Sequence, residues 1–274
     1  MIHLLYCGNR RVFDGCYISA LSAAMHASEP LTVSILTMDL SDMDPRFLPI
    51  TPAQGAVLER ALRRYRKESL VRCIDGGALF RREMSASPNL GSSYTPYAML
   101  RLFADLLPLP DRVLYLDVDT VCHGDIAPLF HLDLQGAEYG AAPDYLGRIF
   151  IRRDYVNSGV LLLDLARIRR TGLFGRARRV CATVHSSFPD QNALYGAGGR
   201  CLRLPRCYNE QRKARSSTVI RHFSKTVRLF PYFRILNVKP WQTDRLYRVC
   251  DPALYHPVLD QYQSDRAAFS GDSE

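Results

Sequence analysis

Two aspartates one residue apart, Asp117 and Asp119, close the apolar run Val113-Leu114-Tyr115-Leu116. Such a run reads as a buried strand of a parallel sheet, and ligands of open α/β sheets collect outside the carboxyl ends of those strands. Carboxylates at this spacing reach one divalent cation once the backbone turns between them, and a cation bound to a diphosphate relieves their mutual repulsion. The bland alternative is a pair of solvated turn residues, because Asp is common in turns and a D-x-D triplet is frequent by chance. His222, after the apolar pair Val219-Ile220, offers an imidazole, although a lone histidine in that setting is more often packed than ligating. Asn157-Ser158-Gly159 precedes the apolar stretch Val160 to Leu163. Asn157 donates to and accepts from hydroxyls and Gly159 permits close backbone approach, with an ordinary strand-initiating turn as the alternative. Asp190-Gln191 follows Pro189 at the start of a helical stretch, where Asp190 reads equally as a helix cap.

The elements that must position these groups alternate between strand and helix. Ile2 to Cys7 reads as a strand broken by Gly8-Asn9, and Asp14 to His26 has helical spacing with Ile18, Leu21 and Met25 on one face. Thr32 to Thr37 is a second strand, residues 52 to 67 a basic amphipathic helix, and Leu70 to Ile74 a third strand before the Gly76-Gly77 turn. The polar segment Arg81 to Ser93 reads as a mobile loop beside the site. Thr95 to Leu107 is a helix carrying Arg101, and it leads through Pro108 and Pro110 into the Asp117 strand. A basic helix is expected at about 164 to 180, irregular chain beyond about 205, and a last helical stretch from Leu254 to Ala268. This alternation predicts an α/β fold, a mostly parallel Rossmann-like sheet flanked by helices.

Composition narrows the partners. Hydrophobic residues make up 47% and charged residues 23%, an ordinary balance for a soluble globular chain, and no apolar stretch approaches the roughly 20 residues that span a bilayer. The amino terminus begins directly as a strand, so no leader is expected. The eight cysteines show no C-x-x-C spacing, which favours a reducing cytoplasm without structural zinc. Net charge is +9, and between Arg200 and Arg234 ten Lys and Arg face one acid, Glu210, an excess equal to that of the whole chain. An anionic partner is therefore expected. With no RNA-binding, homeodomain-like or zinc-finger pattern present, nucleic acid is not expected to be that partner.

Gly8-Asn9, Arg101, Asp117-Val118-Asp119, Asn157-Ser158-Gly159, Asp190-Gln191 and His222 together resemble glycosyltransferase family 8 in order and approximate spacing, from about residue 1 to 241. This family holds retaining nucleotide-sugar transferases, among them lipopolysaccharide galactosyl- and glucosyltransferases and glycogenin. The resemblance implies the GT-A fold over residues 1–241, with 242–274 a C-terminal helical extension packed on the same domain. It implies Asp117, Asp119 and His222 as ligands of Mn²⁺, with Mg²⁺ the alternative, and a UDP-sugar donor bound by Cys7, Gly8, Asn9, Asp117, Val118, Asp119, Asn157, Ser158 and Lys239. Arg101, Asp190 and Gln191 are the implied catalytic residues, set around the transferred sugar and diphosphate.

Two departures from the family pattern stand out. Where many members carry an acid that reads uracil, this chain has Cys7-Gly8-Asn9; and Lys239-Pro240-Trp241 lies farther from His222 than in the short bacterial enzymes, so Lys225 or Lys239 takes the phosphate. The expected reaction is transfer of glucose or galactose to a glycan or lipid-linked acceptor, in the cytoplasm or at the inner face of an anionic membrane. For that membrane contact the basic tract with Phe230, Tyr232, Phe233 and Trp241 is the candidate, a folded acceptor loop being the alternative. The rival readings are a noncatalytic anion- or glycan-binding protein of the same fold and a nucleotidyltransferase.

Overall fold

The structure is a computed structural model that describes residues 1–91, 95–228 and 234–271. Along the chain run β1 (Ile2–Cys7), α1 (Phe13–His26), β2 (Leu31–Thr37), α2 (Pro52–Arg63), β3 (Leu70–Asp75), α3 (Gly77–Met84), β4 (Arg112–Leu116) and β5 (Thr120–Cys122). They are followed by α4 (Ala127–Phe130), β6 (Tyr139–Pro143), α5 (Gly147–Phe150), β7 (Val156–Asp164), α6 (Leu165–Thr171), α7 (Leu173–Thr183), α8 (Pro189–Gly196) and β8 (Cys201–Arg203). The last elements are β9 (Ile220–His222), β10 (Thr226–Arg228), β11 (Arg234–Leu236), α9 (Thr243–Tyr247) and α10 (His256–Gly271).

Seven strands form the central sheet in the order β3-β2-β1-β4-β7-β6-β8. The first four are mutually parallel, and their Val-, Ile- and Leu-rich strands are covered on both faces by two apolar clusters, one under α1 and α2 and one under Tyr97–Ala104 and α7. β7 inserts antiparallel beside β4, with Leu116 opposite Val160, and β6 runs antiparallel to β7. This reversal brings Asn157 at the start of β7 and Asp144 just past β6 to the same edge as the carboxyl ends of β1 and β4. Two small antiparallel pairs, β5 with β9 and β10 with β11, stand outside the main sheet.

Local chemistry accounts for several boundaries. Thr51 and Gln54 make a reciprocal capping box ahead of Pro52, which starts α2. The basic stretch expected as one helix at 164 to 180 is two, because Gly172 adopts φ +69° and ends α6 before α7 begins. The helix expected from Thr95 to Leu107 is a 3₁₀ helix over Pro96–Leu106, pinned where the Tyr97 hydroxyl donates to Met38 O and Phe47 O and Arg101 reaches the sheet. The segment expected as a mobile loop from Arg81 is helical to Met84, and beyond it Ser87 and Asn89 are buried. Ser87 Oγ and Asn89 Nδ2 both donate to Cys181 O at 2.7 Å, satisfying an orphan carbonyl in the last turn of α7. Ser92 and Ser93, from the same expected loop, lie outside the described residues.

At the carboxyl end, α10 packs on α1. The Tyr17 hydroxyl donates to Asp265 at 2.6 Å, Arg64 pairs with the same carboxylate, and the rings of Tyr17 and Tyr262 meet at 5.8 Å.

Candidate active site

β4 ends at Leu116, and the chain turns so that Asp117 N donates to Gly159 O of β7 at 2.8 Å and Thr120 N donates back to Asp117 O at 3.2 Å. That turn is what lets both carboxylates face one point. β5 leaves it and pairs with β9 so that Thr120 lies opposite His222, and Phe223 N donates to Asp119 O at 2.9 Å. His222 Nε2 therefore sits 3.2 Å from Asp119 Oδ1 and 3.5 Å from Asp117 Oδ2. Ligand atoms from the three residues all fall within 4.8 Å of one another.

Two details suit this cluster to a divalent cation. His222 Nδ1 lies 3.1 Å from Oδ1 of Asn209, a fully buried amide whose Nδ2 donates to Asn157 Oδ1 at 2.9 Å. With its amide nitrogen spent, Asn209 offers an acceptor, so Nδ1 carries the proton and the Nε2 lone pair points at the two carboxylates. Two carboxylate oxygens and one imidazole make a donor set that suits a divalent cation. The glycine beside them is a steric requirement: a Cβ on Gly159 would stand 2.2 Å from His222 Cε1.

Arg101 is 5% exposed and serves as the hub of the buried charge. It donates to Asp117 Oδ1 at 2.8 Å and to Ser158 O at 2.6 Å, lies 3.2 Å from Asp190 Oδ2, and stacks on the Tyr115 ring at 4.2 Å. Burial alone would lower its pKa, but Asp117 and Asp190 outweigh that and raise it. The Tyr115 hydroxyl also donates to Asp117 Oδ1 at 2.6 Å. One carboxylate oxygen is thus fixed by two donors while Oδ2 faces His222. For Asp119, burial would raise the pKa, but the Lys239 ammonium beside it, followed by the contact with His222, reverses the effect and holds the carboxyl well below the usual range. Lys239 Nζ pairs with Asp119 and donates to Phe223 O at 3.0 Å.

Asp190 is not the cap of α8, which is preceded by Phe188; it lies inside the first turn, buried, and receives the Ser158 hydroxyl at 3.2 Å. Gln191 Oε1 accepts the Ser158 amide at 3.0 Å. Nor do Asn157, Ser158 and Gly159 form a turn ahead of a strand, since all three are β7 residues. Asn157 Nδ2 donates to Asp144 Oδ2 at 2.8 Å, and Gln191 Nε2 stands 3.5 Å from the same oxygen. At the end of β1, Cys7, Gly8 and the buried Asn9 line the same cleft, but Asn9 Oδ1 already accepts the Arg11 amide at 3.2 Å as the cap of a 3₁₀ turn.

Apart from Gly159 and Asn209, which stand behind it, these groups border one cleft of about 1000 Å³ that is also lined by Val118 and both candidate phosphate lysines, Lys225 and Lys239. Trp241, two residues beyond Lys239, packs so closely on Gly15 that a Cβ there would stand 2.3 Å from the indole. Sequence reasoning missed Tyr115, Asp144 and Asn209. Asp144 carried a readable signal, an acid closing the apolar run Tyr139 to Ala142; Asn209 carried none. Of the aromatics expected to meet a membrane, Trp241 is packed, while Phe230, Tyr232 and Phe233 lie outside the described residues. All eight cysteines are free thiols. No helix among the described residues is long and apolar enough to cross a membrane.

The chain is 38% identical over 124 residues to lipopolysaccharide 1,2-glucosyltransferase of Escherichia coli (strain K12), a match covering 40% of this chain and 37% of that enzyme. Glycosyltransferase GlyF of Streptococcus pneumoniae serotype 4 is 37% identical over 89 residues, 31% of this chain and 21% of that protein. These matches span well under half the length of either relative. In fold, the chain is similar to galactosyltransferase LgtC crystallised with donor and acceptor sugar analogs, with a TM-score of 0.67 at 19% identity over 96% of both chains. A bifunctional glycosyltransferase, WbbM, gives a TM-score of 0.66 at 15% identity over 95% of this chain and 51% of that one. The sheet and its flanking helices are thus those of the GT-A fold. With the family model for Glycosyl transferase family 8 matching residues 3–245, this chain belongs to glycosyl transferase family 8.

Proposed function

We propose that this chain transfers a hexose, glucose or galactose, from a UDP-sugar to a glycan or lipid-linked acceptor of lipopolysaccharide or polysaccharide synthesis, with retention at the anomeric carbon. The observation that carries the reading is the convergence of Asp117, Asp119 and His222 on one point of the cleft, with Asn209 fixing the imidazole. A bound divalent ion, manganese in this reading, would supply Lewis-acid stabilisation of the departing diphosphate.

The chain's own residues do the rest. Cys7, Gly8 and Asn9 receive the nucleoside at the end of β1, and Asn157 and Ser158 receive sugar hydroxyls at the head of β7. Arg101 holds Asp190 and Gln191 in register with the metal edge, so that the anomeric carbon is presented between them. On donor binding, Lys239 exchanges its contact with Asp119 for a phosphate oxygen, a charge-for-charge replacement in a low-dielectric cleft. Residues 1–241 form the catalytic unit, with 242–274 a helical extension packed on it, and the protein works in the cytoplasm, in peripheral contact with an anionic membrane.

Incubation with a panel of nucleotide sugars, UDP-glucose and UDP-galactose first, with and without Mn²⁺, tests the reading. Release of nucleoside diphosphate that requires Mn²⁺ is the expected result. Release of pyrophosphate supports nucleotidyl transfer instead, and glycan binding without turnover supports a noncatalytic protein of this fold.

A further inference from the structure

Beside the cleft the chain projects a short lip whose base is fixed and whose tip is bare. At the base, Asp144 Oδ1 accepts the amides of Leu146 at 3.0 Å and Gly147 at 2.6 Å, and Tyr145 N donates to Gln211 Oε1 at 2.8 Å. Asp144 N closes the base on Tyr155 O at 3.0 Å, and Gly147 presses on the Tyr155 ring so tightly that a Cβ would fall 2.2 Å from it. From this anchored stem, α5 and the residue that ends it carry Ile149, Phe150 and Ile151 outward at 62%, 78% and 46% exposure. Three consecutive large apolar side chains left in water are costly, and such patches mark a contact surface.

The surrounding charge names the partner. Arg148, Arg152 and Arg153 flank the tip and are exposed, with Asp154 pairing to Arg152 at 3.3 Å. At the stem, Arg212 and Arg206 lie over the Tyr145 ring at 4.8 and 5.9 Å, which joins the lip to the basic tract that begins at Arg200. An apolar tip inside a collar of arginines is the composition of an element that enters an anionic lipid interface. Phe150 and Ile151 also border the cleft, so a surface that took the tip would lie at its mouth.

We propose that the lip of residues 146–153 is the membrane-docking element, seating Ile149, Phe150 and Ile151 among the acyl chains of an anionic leaflet with Arg148 and Arg153 at its phosphates. This rests on the reading of a lipid-linked acceptor and a peripheral membrane contact, and it assigns that contact to a defined segment.

Flotation of the whole protein with phosphatidylcholine vesicles, with and without phosphatidylglycerol, tests it. The wild type should float only with the anionic vesicles and release at high salt. I149S/F150S should abolish flotation, and R148Q/R153Q should weaken binding about twenty-fivefold, taking about fivefold for each arginine at the surface. Mn²⁺ binding, measured on the same preparations, should be unchanged in both. If the wild type floats and both variants float equally well, the membrane contact lies elsewhere and the lip assignment falls. If the wild type does not float at all, the lip assignment and the peripheral contact both fall, while Mn²⁺-dependent donor turnover still stands or falls by itself. Concentration-dependent self-association that I149S/F150S removes would assign the patch to a second copy of this chain and overturn the proposal.

Discussion

The metal edge and the lip border one cleft and solve opposite physical problems. At the metal edge, charge is buried, so each group is tied to another: Arg101 to Asp117 and Asp190, Lys239 and His222 to Asp119, Asn209 to His222. A buried charge without a partner costs several kcal/mol, so this region has little freedom to change. At the lip, Ile149, Phe150 and Ile151 keep much of their apolar surface in water, so folding withdraws little of it. The difference teaches that a site can have a rigid half set by electrostatics and a half free to be fitted to whatever is being modified.

Removing Arg101 should break this contrast most severely. R101A takes from the partly buried Asp117 and the buried Asp190 the cation they share and should cost about 3–5 kcal/mol in urea unfolding, alongside loss of turnover. An unfolding midpoint near that of the wild type would mean that water already pairs these acids. D119N should keep the fold but lose about a thousandfold in donor turnover and lose tight Mn²⁺ binding, read by electron paramagnetic resonance of the free ion.

The burial that rules the metal edge extends to His123 at the end of β5. There burial, assisted by the charges of His26 and Arg221, lowers the pKa to about 4 from the ordinary value of 6.5. The unfolded chain therefore binds a proton that the folded chain refuses, and stability present above about pH 6.5 is lost as the pH falls toward 4, by up to about 3 kcal/mol. H123Q should flatten that window in thermal melts taken across it. Loosening the imidazole has a smaller effect: N209A and G159A should each weaken Mn²⁺ affinity about ten- to a hundredfold, through a freed ring in one and a displaced ring in the other. At the opposite pole, F150S should change unfolding stability by less than about 0.5 kcal/mol. A loss of 2 kcal/mol or more there, on the order of a buried apolar side chain, would show that the lip belongs to the core after all.

Much of the fold was legible because strand and helix periodicities are local. Ile2 to Cys7, Thr32 to Thr37 and Leu70 to Ile74 all became strands close to their expected bounds, since continuous apolar runs have nowhere to go but the middle of a covered sheet. Gly172 and the Ser87–Asn89 segment were misread, because a left-handed helix end and a side-chain cap on a distant helix follow from three-dimensional neighbours. The same divide runs through the site. Asp117 and Asp119 are visible as a motif, while Tyr115 reads as one more apolar strand residue until its hydroxyl is seen on Asp117.

By itself, then, the sequence determined the strand tips, the acidic pair, the family pattern and the basic excess, all of which depend on residue type and short spacing. Only the tertiary structure decided that β7 runs antiparallel beside β4, and so brings Asn157 and Gly159 to the metal edge. It alone paired β5 with β9, which carries His222 across about a hundred residues to meet Asp119. It also decided that Arg101 is buried among acids and that Ile149 to Ile151 are left outside. The reason is that strand direction and burial are set by the competition of all apolar surfaces for one interior, and no single segment encodes the outcome of that competition.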